Sequence, residues 1–327
     1  MKQGTGHRGT VSLTAMAGGL ALVLSLFASA AVGADPTTVY ATAFETDEGY
    51  NVANEISGQN GWISEGSGGN GILSERFPGG GSQAYVGFHP PLTQGEQSFS
   101  LWRPVNYDAV ADGKPIVAFS VTMEIADSTN ENRDDFRWSV YNSSGHRLFT
   151  LSFNNATTQI CYALDDDAGF QPTPYVFENE TVYALEIVMD FSANRWSANM
   201  GNAVLVENQP ITTSNADLDL GDIDAVWYYI DANAPGDNFM VFDDYRITAQ
   251  PPPDPTPAIQ ILSRQNDGSA LLRLVGLADR TYSIEASEDL VSWTPLKAAS
   301  SADGVIDHLD NASAGMPLRF YRARLAE

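Results

Sequence analysis

Five carboxylates stand where they could hold a cation. Phe239, Val241, Asp243, Tyr245 and Ile247 recur with period two, so a strand there sets Asp243 on the apolar face and Asp244 on the other, with Met240 and Phe242. An ionised carboxylate among apolar side chains needs a hydrogen bond, an ion pair or a cation, and a structural calcium ion held by carboxylates and backbone carbonyls answers that need. Glu45 and Asp47, at the other end of the same region, are the expected co-ligands if first and last strands pair. Asp231 and Asp237 flank Pro235-Gly236 in a second oxygen-rich loop that lacks EF-hand spacing. The alternatives for Asp243 are a β-bulge that turns it outward, or a bond to a backbone amide.

Aromatic residues form the second set. A sugar ring stacks its apolar face on an aromatic side chain while polar neighbours take the hydroxyls. In Trp227-Tyr228-Tyr229, strand geometry points Trp227 and Tyr229 one way and Tyr228 the other. Trp227, Tyr229, Trp62 and Trp102 are the candidate carbohydrate-binding rings, with core packing as the competing use of each. No catalytic residue is assigned. The glucanase pattern E-x-D-x-x-E fails because Ala126 occupies the Asp position after Glu124, and HExxH, GxSxG and a P-loop are missing. His89, His146 and His308 have no metal-ligand spacing, and no motif asks for an organic cofactor.

The elements that carry these residues read as strands. Phe119, Val121, Met123 and Ile125 alternate with polar residues, as do Phe136, Trp138 and Val140, then Phe149, Leu151 and Phe153, and Tyr183, Leu185, Ile187 and Met189. Turn clusters such as Asn142-Ser143-Ser144-Gly145 separate them, and no amphipathic helix intervenes, which argues for a two-sheet antiparallel sandwich. Five prolines between Pro251 and Pro257 make a stiff spacer. The expected domains are a signal peptide at 1–34, a large β-domain at 35–249, a Pro-rich linker at 250–257 and a small β-domain at 258–327. Trp293, Tyr282, Phe320 and Tyr321 are available for the core of the last.

Lys2 and Arg8, the apolar run from Val11 to Ala30 and the small residues before Asp35 mark the N-terminus as a secretory signal, cleaved rather than kept as an anchor. No other stretch is long and apolar enough to cross a bilayer, so an extracytoplasmic product without a membrane span is expected, whether secreted, periplasmic or at the cell surface. Cys161 is alone and cannot close an intramolecular disulfide. The net charge of −24 is concentrated: residues 35–257 hold 8 basic and 32 acidic residues, whereas 258–327 hold 7 and 9. Such a field repels nucleic acid, anionic lipid and polyanionic sugars, and fits neutral polysaccharides, cell-surface glycans or divalent cations better.

The segments Phe44-Glu45-Thr46-Asp47-Glu48-Gly49-Tyr50, Gly58-Gln59-Asn60-Gly61-Trp62 and Gly236-Asp237-Asn238-Phe239-Met240-Val241-Phe242-Asp243-Asp244-Tyr245-Arg246-Ile247 resemble the opening and closing strands of concanavalin A-like, laminin-G-like jelly rolls of exported bacterial proteins. The resemblance spans about 38–249. It implies an all-β chain, an antiparallel jelly-roll β-sandwich followed by a smaller β-sandwich of Ig or fibronectin III type. That fold hosts lectins, adhesion modules, glucanases and lyases. The reading that follows is a non-catalytic glycan-binding or adhesion protein. The alternatives are a polysaccharide hydrolase or lyase with an unrecognised active site, and a structural surface protein without a small ligand. In the small domain, Ser287-Glu288-Asp289-Leu290-Val291-Ser292-Trp293 is similar to the sialidase Asp-box but is one residue shorter and lacks its Gly, which suggests a turn closed by Asp289 with Trp293 beneath.

Overall fold

The computed structural model describes residues 36–252 and 257–326, which form two compact units, the first ending at Pro252. The signal segment 1–34 and residues 253–256 of the Pro-rich stretch lie outside the described residues. In chain order the first unit contains β1 (Thr37–Thr42), β2 (Ile63–Glu65), β3 (Asn70–Ser74), β4 (Ser82–Gly87), β5 (Ser98–Trp102), β6 (Ile116–Ala126), β7 (Asp135–Tyr141) and β8 (Arg147–Asn154). It continues with β9 (Gln159–Leu164), β10 (Gln171–Val176), β11 (Tyr183–Asp190), β12 (Arg195–Met200), β13 (Ala203–Gln209), β14 (Asp222–Tyr228) and β15 (Phe239–Gln250). Among the described residues no helix is long and apolar enough to cross a membrane.

These strands make an antiparallel jelly-roll sandwich. One sheet runs β13-β12-β11-β6-β15-β4-β3, with β1 also on β15, and the other runs β10-β9-β8-β7-β14-β5-β2. The period-two pattern sends Val117, Phe119, Val121 and Met123 of β6 inward to meet Phe136, Trp138 and Val140 of β7. Ring contacts tie the sheets together: Phe149 stacks on Trp196 at 4.0 Å, and Trp138 meets Phe242 edge-on at 5.3 Å. Tyr245, fully buried, donates its hydroxyl to the carbonyl of Ile223 on the opposite sheet at 3.0 Å.

The closing strand departs from simple alternation, and this corrects the expected orientation of Asp243. Its register slips between Asp243 and Arg246, where Asp244 adopts φ +52°, a bulge that adds one residue and reverses which side chains face in. Met240 and Phe242 point to the core before the slip, Tyr245 and Ile247 after it. The same bulge marks the change of neighbour on one edge of β15, from β4 at Phe239–Phe242 to β1 from Tyr245 onward. Asp243 therefore lies on the outer face, half-buried, not in line with the core.

The second unit has β16 (Ala258–Arg264), β17 (Ala270–Val275), β18 (Thr281–Ser287), β19 (Thr294–Ser300), β20 (Val305–Asp310) and β21 (Phe320–Leu325), arranged as two three-stranded antiparallel sheets, β16-β17-β20 and β19-β18-β21. Leu272, Leu274, Tyr282, Ile284 and Tyr321 fill its core. Asp289 closes the β18–β19 turn by accepting from the amides of Val291 and Ser292 at 2.9 and 2.7 Å, and Trp293 lies half-buried under the Arg322 guanidinium at 4.2 Å.

Candidate functional site

The expected cation ligands do not form one site. Asp243 and Glu45 are neighbours: burial, chiefly, pushes the Asp243 carboxyl up to about 6, and the Glu45 charge adds to it. Gln83 donates to Asp243 at 3.4 Å, and Glu45 accepts the amide of Ser82 at 2.8 Å. Asp47 is exposed in a short 3-10 turn, Thr46–Glu48. Asp237 accepts from Ser128 Oγ at 2.6 Å, from the amides of Thr129 and Asn130 at 2.7 and 3.2 Å, and from Thr129 Oγ1. Asp231 caps its own turn through the amide of Asn233 at 2.9 Å. Among the described residues no three His, Cys, Asp or Glu side chains converge, so the five carboxylates do not make one ligand set.

Three of the four expected sugar-stacking rings are also elsewhere. Trp62, Trp227 and Tyr229 are in the core, at 0, 0 and 1 % exposure. Trp227 is held there by Asp134, itself 1 % exposed, which accepts from the indole Nε1 at 3.0 Å and from the amides of Ile230 and Gly236 at 2.9 and 2.7 Å. Asp134 fastens the loop after β14 and presents nothing to a ligand. Trp102 alone is partly open, at the end of β5.

The residues that could do chemistry lie on the other face of the strands that carry those rings. Because Phe136, Trp138 and Val140 point inward from β7, Asp135, Arg137, Ser139 and Tyr141 point outward; on β14 the outward set is Asp222, Asp224, Val226 and Tyr228. The register sets Arg137 opposite Val226, Ser139 opposite Asp224, and Tyr141 opposite Asp222. On the flanking strands Ser98 and Ser100 of β5 and Thr150 of β8 continue this face with small hydroxyls. Short floor residues between taller neighbours leave a depression of about 380 Å³ whose walls include Arg137, Arg147, Tyr141, Phe170 and Tyr228.

Arg137 is the centre of it. Its guanidinium carbon lies 3.7 Å from the centre of the Tyr228 ring and 4.8 Å from that of the Phe170 ring, a cation over two aromatic faces. The nearest carboxylate, Asp135, is at 3.5 Å. Burial pulls Arg137 below its ordinary value and pushes Asp135 above its own, so neither partner fully compensates the other's loss of water. Consistently, Asp135 Oδ1 and Arg137 Nε are buried without a hydrogen-bond partner. Arg147 donates to the carbonyl of Leu164 at 2.8 Å and to Thr150 Oγ1 at 3.4 Å.

Beside the depression, Asp222 and Asp224 project from the same face of β14 and interact directly. Burial pushes Asp222 up to about 6; burial and then the Asp222 charge raise Asp224 well above the usual carboxylate range. Burial and the Asp224 charge raise Tyr141, against the opposing pull of Arg147. The result is a carboxyl pair whose full ionisation is disfavoured, with Asp224 6 % exposed and its Oδ1 unpartnered. None of Arg137, Arg147, Tyr141, Asp222, Asp224, Phe170 or Tyr228 stands out by motif. The strand residues were recoverable from the complement of the apolar alternation, whereas Phe170 comes from a loop and carries no such signal.

No protein-family model matches the chain, and no curated protein matches it. Among solved structures, the chain is similar to a sialidase with TM-score 0.45 and 6 % identity, over 64 % of this chain and 18 % of that one, so it spans under a fifth of that protein. It is also similar to the carbohydrate esterase vb_24B_21 from Shiga toxin-encoding bacteriophage phi24B, with TM-score 0.44 and 11 % identity over 66 and 99 % of the two chains. Lectin II from Ulex europaeus gives 0.41 and 8 %, over 60 and 95 %. At these identities and scores the likeness carries no information about chemistry.

Proposed function

We propose that this is an exported saccharide-binding protein whose ligand lies on the outer face of the β10-β9-β8-β7-β14-β5-β2 sheet. The observation that carries the reading is the cluster of Phe170, Arg137 and Tyr228 at the edge of a hydroxyl-floored depression. A pyranose needs an apolar plane and several hydrogen-bond partners at once, and here rings, guanidinium N–H groups and Ser and Thr hydroxyls stand within one small volume. Unpartnered buried atoms on Arg137 and Asp135 are groups whose desolvation a bound hydroxyl would offset. The paired carboxyls Asp222 and Asp224 favour a second reading, glycoside hydrolysis, since a proton-holding acid beside a carboxylate is the equipment for general acid–base chemistry.

A glycan array probed with the mature protein, with Tyr228→Ala and Arg137→Ala beside it, tests both readings when ligands found are also scored for new reducing ends. Binding that falls 10-fold or more in both variants, without reducing-end release, is the expected outcome. Release abolished by Asp224→Asn moves the assignment to the hydrolase. Unchanged binding in both variants removes this face from consideration.

A further inference from the structure

Resting on the saccharide reading, we infer that the depression selects a sugar unit bearing an anionic group, a uronate carboxylate or a sulfate ester, held by Arg137 and Arg147. Residues 35–257 have only eight basic side chains against 32 acidic ones, and two of the eight line this one hollow. Two other arginines of the domain are paired with carboxylates: Arg133 makes a two-pronged pair with Asp127 at 2.7 and 2.8 Å, and Arg76 pairs with Glu124 and Glu180, whereas Arg103 and Arg246 bond to a carbonyl and a hydroxyl. In the hollow the pairing is incomplete. Among the described residues Arg147 touches no carboxylate, and its bonds go to a carbonyl and a hydroxyl. Arg137 has only Asp135, at 3.5 Å, and a free buried Nε.

The two guanidinium groups repel one another: the Arg147 charge adds to the burial that pulls Arg137 down, and Asp135, at 3.5 Å, offsets this only in part. An oxyanion between them relieves that repulsion and takes charge-assisted hydrogen bonds, which are about twice as strong as neutral ones. The two rings matter here as well. They fix the plane of Arg137, so its N–H edge is presented with little further loss of side-chain freedom. Of the nearby carboxyls, among the described residues Asp135 alone touches either guanidinium; Asp222 and Asp224, whose ionisation burial disfavours, stand beside the hollow on β14, and Asp166 is exposed at the rim. A domain whose total charge repels polyanions therefore contains one place built for a single negative group.

The test uses three probes on one backbone, measured by calorimetry at pH 7: a glucuronate-containing hexasaccharide, the same chain with its carboxyls reduced to primary alcohols, and the reduced chain carrying sulfate esters. The inference expects the carboxylate or the sulfate probe to bind at least 10-fold more tightly than the reduced chain, the better of the two identifying the anion. Arg147→Gln should bring that probe down to the affinity of the reduced chain, and Arg147→Lys, which keeps the charge should the Gln variant fold poorly, should retain most of the preference. Equal affinity for charged and reduced chains overturns the inference and leaves the saccharide reading standing. Loss of binding to all three probes overturns both.

Discussion

At the scale of single residues, the outward face of β14 combines groups that evolution usually keeps apart. Asp222 and Asp224, two positions apart on one strand, can satisfy each other only by sharing a proton. That has a signed consequence for stability. A carboxyl whose folded-state value is raised holds more protons in the folded than in the unfolded protein, so stability falls as pH rises from about 4 through the Asp222 value of about 6, and on through the higher range in which Asp224 ionises. Asp222→Asn is therefore expected to raise the melting temperature at pH 8 by about 2–4 °C, on the order of 1 kcal/mol after allowing for solvent screening, and to give no gain at pH 4. Equal effects at the two pH values would falsify the shared-proton account. Asp165 is the counterexample on the same domain: burial pushes it up, but bonds from Ser214, Thr212 and Thr213 outweigh burial and hold it well below the usual range.

At the scale of elements, β15 shows how one residue decides which side chains a strand presents. The bulge at Asp244 is what allows Phe242 and Tyr245 both to face the core, and it releases Asp243 to the outside. A left-handed conformation is tolerable for Asp, free for Gly and costly for a β-branched side chain. Asp244→Gly should leave stability within about 0.5 kcal/mol of wild type, whereas Asp244→Val should cost about 1–3 kcal/mol in chemical denaturation. A Val variant as stable as the Gly variant would mean that the strand re-registers without penalty. The simple alternation rule placed Asp243 inside because a single inserted residue reverses every later position, and nothing in Phe-Asp-Asp-Tyr announces the insertion. By contrast, β6, β7, β8 and β11 contain no such slip in the stretches read as alternating, and there the expected inward residues are buried, save Tyr183, which is half-buried at the start of β11.

At the scale of the whole domain, local and global charge point in opposite directions. The summed field opposes the approach of a long polyanion, while the arginine-lined hollow attracts one anionic group at close range. Ionic strength separates the two, because at 0.1 M salt interactions beyond about 10 Å are largely screened while those at contact are not. The association rate of a long polyuronate should rise several-fold between 10 and 150 mM salt, roughly what relief of long-range repulsion supplies, while that of a neutral chain of equal length should stay constant. A polyuronate rate that falls with salt over this range would show that the local arginines dominate even at a distance. Gross composition located the acidity in the large domain correctly, yet a count of charges has no access to where eight basic residues are spent.

The sequence alone determined that the chain is all-β, that its large domain is a sandwich of antiparallel strands and that the domain is acidic, because these follow from local periodicity and from totals. It also contained the placement of Arg137, Tyr141, Asp222, Asp224 and Tyr228, as the polar complement of apolar positions on two strands. Only the tertiary structure decided that those two strands lie side by side, that Phe170 closes over Arg137 from a distant loop, and that Trp62, Trp227 and Tyr229 turn inward. The physical reason is the same throughout: a strand's two faces are equivalent until strand order assigns one to the core, and the residues left on the other face become a site only through neighbours far away in the chain.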